Sequence, residues 1–371
     1  MKQCFKTYQL TLKTVGPVFI GSGKEISKKE YVFLENNKIA VLNISQVYAM
    51  FQKIGKGEKY EKYLLGNTRE DMNTWLNKEN IPLEKIKPYI KYVLDNSDAI
   101  IENKRQLQIM ENMKDPFGNP YVPGSSLKGM LRTVLLCQDI RENEKKYVRE
   151  KEALVHDTFS KKRSTRNAFL KSNIENIENE CFHTLHRKDT RTKDAVNDCL
   201  QGLIVSDSEP VSIENVILCQ RIELHTNGLE KRLPVLRECI RPGTDINFTV
   251  TVDTSVCQIN EQKIMEAIKT FLQVYYSSFS KVFPGVDKLR VNQVFLGGGC
   301  GFVSKTIVYP MFRRQEGMKV AKNIFYKTNV PREHMHDKDE KYGASPHILK
   351  CTRYKGQLLQ MGLCNLRIKE N

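Results

Sequence analysis

The sequence predicts an α+β protein made of two units with antiparallel sheets. Three observations carry that expectation. Strands with strict apolar/polar alternation occur at the start of the chain and again at 246–252, and helical periodicity occurs between and after them. The length of 371 residues exceeds what one ordinary hydrophobic core accommodates.

In the first strand, Tyr8, Leu10 and Leu12 fall on one face and Gln9, Thr11 and Lys13 on the other. The glycines of GPVFIGSGKE break it, and YVFLENNKIAVLN reads as a hairpin turning at Asn36-Asn37. Ser45 is placed to cap a helix over SQVYAMFQKI, and the text from about 55 to 113 reads as polar and helical. In DPFGNPYVPGSSLKGMLRTVLLCQ, turn residues run to Gly124, and Ser125 or Ser126 can cap a helix. Leu127, Met130, Leu131, Val134 and Leu135 share its apolar face, with Lys128 and Arg132 one turn apart on the other.

The segment 139–200 is dense in charge and poor in apolar runs, which predicts a partly helical insertion of low local stability. Strand text resumes at LIVSDSEP. ENVILCQRIEL and LPVLRECI flank a basic hairpin tip, and INFTVTV alternates at Ile246, Phe248, Val250 and Val252. EQKIMEAIKTFLQVYYSSFSKVF is a long amphipathic helix, after which come the loop FLGGGCG and the strand-like FVSKTIVYP. The expected division is therefore 1–138 with a helical insert at about 55–113, then 139–200, then 201–371.

Lys and Arg number 59 against 43 acidic residues, a formal charge of +16, which points to polyanions and above all to nucleic acid. No apolar run reaches the length of a membrane span, and the N-terminus lacks the apolar core of a signal peptide. Ten cysteines without a C-x-x-C pair read as small buried hydrophobes of a reducing compartment, so the expected location is cytoplasmic.

Three loops could admit a phosphate backbone. Gly297, Gly298, Gly299 and Gly301 with nearby Lys305 form the densest; the others are Gly21-Ser22-Gly23-Lys24, and Gly124, Ser125, Ser126 with Lys128 and Arg132. The first is not a nucleotide-binding P-loop, because Ser304 stands where that motif has glycine before Lys-Thr. Close packing of main chain on main chain is the structural alternative for it, and an ordinary capped core helix is the alternative for the segment from Gly124. Cys181, His183 and His186, and His334, His336 and Asp337, lack the spacing of a zinc finger or ribbon, so no metal or other cofactor is expected. Asp207 and Glu209 have no recognisable partners for catalysis, and Asp207 reads as a strand-end turn residue.

GPVFIGSGKE, PYVPGSSLKGMLRT, LIVSDS, FLGGGCGFVSKT and HILKCTRYKGQLLQMGLC recur in this order in a known family. The chain resembles the RAMP-superfamily subunits, the fifth proteins of the Csm set, that cap the guide-3′ end of the type III-A CRISPR effector. The resemblance implies two ferredoxin-like (RRM-like) domains and binding of the mature guide RNA (crRNA) near its 3′ end. It also implies contact with the backbone RAMP subunit and the small helical subunit, and 3′-end maturation by recruited host ribonucleases. On this expectation the chain is a non-catalytic assembly subunit of antiviral defence. A metal-independent RAMP endoribonuclease acting on guide precursor is the alternative.

Overall fold

The computed structural model describes residues 4–68, 70–99, 108–286 and 288–370. Strand β1 (Phe5–Thr14) has the expected alternation, with Tyr8, Leu10 and Leu12 buried and Lys13 exposed. After β2 (Gly21–Ile26), strands β3 (Tyr31–Leu34) and β4 (Lys38–Leu42) form the hairpin, and Asn36 and Asn37 both take φ of 58°. Asparagine tolerates that left-handed region better than most residues. Helix α1 (Ile44–Lys53) is capped by Asn43, which accepts from the Gln46 amide, and not by Ser45. The chain is already helical at Ile44, so Ser45 lies in the first turn. Helices α2 (Gly57–Leu65) and α3 (Met72–Lys78) join α1 around Phe51, Tyr60, Tyr63 and Trp75, a small core of their own.

The stretch read as helical also contains two strands, β5 (Ile90–Asp95) and β6 (Ile109–Asn112). Both are short and bury few side chains, so their alternation is too weak to register. Helix α4 (Gly124–Glu142) buries Leu127, Leu131 and Val134 as expected, with Leu136, Cys137 and Ile140; Met130 and Leu135 sit at the margin. It has no serine cap. The Gly124 N–H instead donates to the Asp207 carboxylate at 2.8 Å, a cap supplied from 83 residues away.

The segment 139–200 holds α5 (Val148–Ser160) and α6 (Lys171–Phe182), and Tyr147, Leu154, Ile177, Phe182 and Leu200 belong to the main core. It is packed structure, not an appendage. Its apolar residues come in ones, twos and threes separated by charged or polar stretches, so no sustained apolar periodicity marks the segment in the sequence.

Strands β7 (Leu203–Val205), β8 (Val216–His225), β9 (Glu230–Ile240) and β10 (Asp245–Asp253) lead into α7 (Glu261–Ser278) and β11 (Gln293–Phe295). FVSKTIVYP is not a strand. It forms a 3-10 turn at Val303–Lys305 and α8 (Val308–Met311), with Val303, Ile307 and Val308 buried in the core, so tertiary burial overrides β propensity. Then come α9 (Arg314–Lys327), α10 (Asp339–Tyr342), β12 (Ile348–Tyr354), β13 (Gln357–Gln360) and β14 (Leu363–Glu370).

The α+β class with two sheets is observed. One sheet is antiparallel in the order β11-β14-β1-β10-β7; Leu10, Leu12, Ile246 and Phe248 on its inner face pack with α4 and α7. The other runs β2-β6-β9-β8-β5-β4-β3, with β12 and β13 branching from β8 and parallel pairs at β5/β8 and β6/β9. Sheet membership ignores the linear boundaries at 138 and 201. Strand β1 lies between two C-terminal strands, and β8 and β9 complete a sheet begun by N-terminal ones.

The sheets meet where the chain leaves β1. The Pro17 carbonyl accepts from Gly362 N–H at 2.8 Å, Val18 bridges to Ile240, and Phe19 bridges to Gly298. Side chains have no room here: a Cβ on Gly16 would lie 1.8 Å from the Gln360 carbonyl oxygen, and one on Gly362 2.3 Å from that of Leu296. Gly16→Ala is therefore expected to cost about 3 kcal/mol, since backbone must move. Gly129→Ala, in open space on α4, is expected to gain about 0.5–1 kcal/mol. Urea midpoints check both; an unchanged midpoint for Gly16→Ala contradicts the interlocked junction.

Candidate nucleic-acid interface

The glycine-rich loop divides into two functional halves. Gly297 and Gly298 are packing residues: Gly298 N–H donates to the Phe19 carbonyl at 2.6 Å, and a Cβ on Gly297 would lie 2.4 Å from that same oxygen. Gly299 and Gly301 have φ of +87° and +103° and line a cavity of about 930 Å³. A Cβ at Gly301 would meet nothing within 4 Å, so its main chain lies open to a ligand. The close-packing reading thus holds for the first pair of glycines; a Cβ on Gly299 would lie 3.0 Å from the Arg237 guanidinium, while Gly301 faces open space.

The cavity wall combines aromatic and cationic side chains. Phe302, Phe325 and His336 form a column, with ring centroids 4.9 Å apart for the first pair and 4.2 Å for the stacked second pair. Arg132, Arg166, Arg221, Lys305 and Lys350 line the same space, whose size suits a nucleotide. Arg237 lies just beneath Gly299, its guanidinium 5.2 Å from the centroid of the Phe19 ring.

These cations are not all matched. Arg221 is bonded to Glu223, which faces Lys350 across the β8/β12 pair, and Lys350 has no ion pair among the described residues. Arg221 and Arg237 each carry a buried Nε without a hydrogen-bond partner. Burial, and then the guanidinium groups of Arg221, Arg237 and Arg166, pull the Lys350 ammonium down to about 8. Burial likewise lowers the basicity of Arg237. Uncompensated charge held out of water is costly, and an anion in the cavity relieves that cost. The arrangement can therefore bind phosphate, with aromatic faces for a base.

The structure gathers only part of the sequence-predicted set here: Gly299, Gly301, Lys305 and Arg132. Arg132 is already held within the chain, donating to Asp198 at 2.8 Å and Glu178 at 3.0 Å and lying over the Phe182 ring. Lys128 donates to the Leu203 carbonyl at 2.8 Å, tying α4 to β7, with Gly124, Ser125 and Ser126 in the turn before it. Gly21, Ser22, Gly23 and Lys24 lie on edge strand β2, and Ser22 Oγ donates to Glu111 at 3.2 Å. Neither of these two loops lines the cavity.

Sequence reasoning missed Arg166, Arg221, Arg237 and Lys350. The strands of Arg221, Arg237 and Lys350 read as ordinary half-buried text, and the pairing of β8 with β9 and β12 brings these three together; Arg166 comes from a turn in the charged segment. Among the other candidates, His183 Nδ1 lies 2.8 Å from the Thr192 carbonyl, and His186 and Asp337 are exposed. Asp207 is the α4 cap, and Glu209 accepts from Asn247 at 2.9 Å. His336 lies with its ring centroid 5.9 Å from that of His334, but its Nδ1 faces Asp339, which also meets His347, while Asp337 is exposed. No helix of the described residues is long and apolar enough to cross a membrane.

The RAMP superfamily model matches residues 11–304. A curated relative from Mycobacterium tuberculosis, the CRISPR system Cms protein Csm5, is 29% identical over 100% of this chain and 99% of its own length. The Csm5 of Streptococcus thermophilus is 26% identical at the same coverage. Among solved structures, a chain in the cryo-EM structure of a Csm-crRNA-target RNA ternary complex superimposes with a TM-score of 0.65 at 21% identity, covering 97% of this chain and 100% of that one. The crystal structure of T.onnurineus Csm5 gives 0.58 at 18% identity, covering 96% and 99%. With a family match over most of its length and two interleaved sheets to go with it, the chain belongs to the RAMP superfamily.

Proposed function

We propose that the chain is a non-catalytic crRNA-binding subunit of a type III-A Csm complex, capping the 3′ end of the backbone filament and supporting guide 3′-end maturation. The observation that carries this reading is the cavity lined by Gly299 and Gly301, by Lys350, which has no ion pair among the described residues, and by Arg221, paired with Glu223 but with its Nε unbonded, beside the Phe302–Phe325 column. Single-stranded RNA has the matching chemistry: a polyanionic backbone that needs close main-chain approach, and bases that stack on aromatic faces. Full-length similarity to Csm5 proteins supports the assembly role. On this reading its neighbours are the backbone RAMP subunit and the small helical subunit, with host ribonucleases as recruited partners.

Binding to a short single-stranded guide RNA is expected to weaken with salt by about 0.7 log units per contacted phosphate for each log unit of salt. Lys305→Ala should lower that slope by about 0.7, and Arg221→Ala should cost at least about tenfold in affinity. Filter binding across a salt series measures both; a flat salt response contradicts phosphate-driven binding.

Lys350 adds a pH signature. Its ammonium is charged below about 8, so RNA affinity should hold up to that pH and fall above it. The same shift makes folding stability rise with pH between about 8 and the unfolded value near 10.4, because there the unfolded chain binds more protons. Lys350→Arg, which stays charged, should abolish the affinity loss. An identical pH profile for the wild type and Lys350→Arg removes Lys350 from the site.

The protein is expected to leave labelled guide precursor intact in the presence of chelator. A discrete product that persists with chelator and vanishes in His336→Ala protein establishes the endoribonuclease instead.

A further inference from the structure

We propose that His336, Asp339 and His347 form a binding site for a zinc-class divalent cation. One ligand atom from each lies within 4.8 Å of the other two, and Asp339 and His347 are buried. His336 Nδ1 is 3.1 and 3.3 Å from the Asp339 carboxylate oxygens, and His347 Nδ1 is 2.5 Å from one of them. Two imidazoles and a carboxylate are a donor set that zinc favours.

A second observation points the same way. His225 ends β8 directly opposite Ile348, its ring centroid is 5.8 Å from that of His347, and its buried Nε2 has no hydrogen-bond partner. It stands where a further ligand could be recruited. The outer support that fixes metal ligands is also present: Ser345 Oγ donates to Asp339 at 2.6 Å, and Tyr309 Oη donates to the Ser345 carbonyl at 2.8 Å.

Two of the three nitrogen–oxygen spacings are already near those of a metal site. Zinc–ligand bonds of about 2.0–2.2 Å in a tetrahedron place neighbouring ligand atoms roughly 3.3–3.5 Å apart. The His336 pair already has nearly that spacing, and His347 must draw back by less than about 1 Å. A zinc ion bound at Nδ1 needs the lone pair there, so in the loaded site any ring proton sits on Nε2. The bound ion would tie the turns at 332–338 and α10 to the start of β12, fixing one wall of the cavity.

The test uses the full chain, produced with zinc and dialysed against metal-free buffer. Elemental analysis should find about one zinc per chain, Zn²⁺ added to chelator-stripped protein should raise the melting temperature, and Co²⁺ should give the visible absorption of a tetrahedral N/O site. His336→Ala and Asp339→Asn should each lose most of the bound zinc. Wild-type protein with under about a tenth of an equivalent and no response to added zinc overturns the proposal, leaving a hydrogen-bonded polar cluster. Zinc content unchanged in both variants overturns it as well. Should the variants fail to fold, the cobalt spectrum of the wild type decides. None of these readouts involves RNA, so this site and the RNA-binding role stand or fall separately.

Discussion

Main-chain contact at the junction of the two sheets is the constraint on which the rest of the molecule depends. The segment from Gly16 to Phe19 leaves one sheet, touches Ile240, Gly298 and Gly362 through its backbone, and enters the other. Backbone can approach backbone this closely only where no Cβ intervenes, and the glycines at 16, 297 and 362 meet that condition. The position of the glycine-rich loop follows from this contact. With Gly297 and Gly298 seated on Phe19, Gly299 to Gly301 are held over the cavity at a fixed place. A single loop thus serves the fold with its first half and faces the candidate ligand with its second.

The same junction explains the electrostatics. Strands β8, β9 and β12 bring Arg221, Arg237 and Lys350 under the loop, where water is partly excluded and Glu223 faces two of them. The lowered basicity of Lys350 and Arg237 expresses the cost of that arrangement. A fold optimised for stability alone would pair or remove such charges; left in place, they suit the cavity to an anion on the proposed reading. At Glu238, by contrast, buried charge is met within the chain. Glu238 accepts from Lys114 at 2.6 Å, Tyr92 at 2.6 Å and the Asn112 amide at 3.0 Å, and so joins β5, β6 and β9. The contrast between the two clusters separates a site from a structural network.

Predicted site residues proved to have mixed employment. Arg132, Lys128 and Asp207 look like surface polar groups in the sequence, yet each holds one element to another: α4 to α6, to β7 and to the turn that follows it. A cation on a helix face is read by default as available. Here its partners, Glu178 and Asp198, come from a segment whose packing the sequence conceals.

What the sequence by itself determined is whatever rests on local periodicity and turn chemistry. This includes the alternation in β1 and β10, the apolar face of α4, the hairpin at Asn36-Asn37, the dense glycines and the basic excess. Each of these acts over a few residues, so it is written in consecutive letters. The tertiary structure alone decided which strands share a sheet, that Asp207 rather than a serine caps α4, and that FVSKTIVYP turns into helix. It also decided the assembly of Arg166, Arg221 and Lys350 around the cavity, and of His336, Asp339 and His347 beside it. The physical reason is common to all of these: burial and pairing energies depend on neighbours brought from distant parts of the chain, and they outweigh the local preferences that a sequence displays.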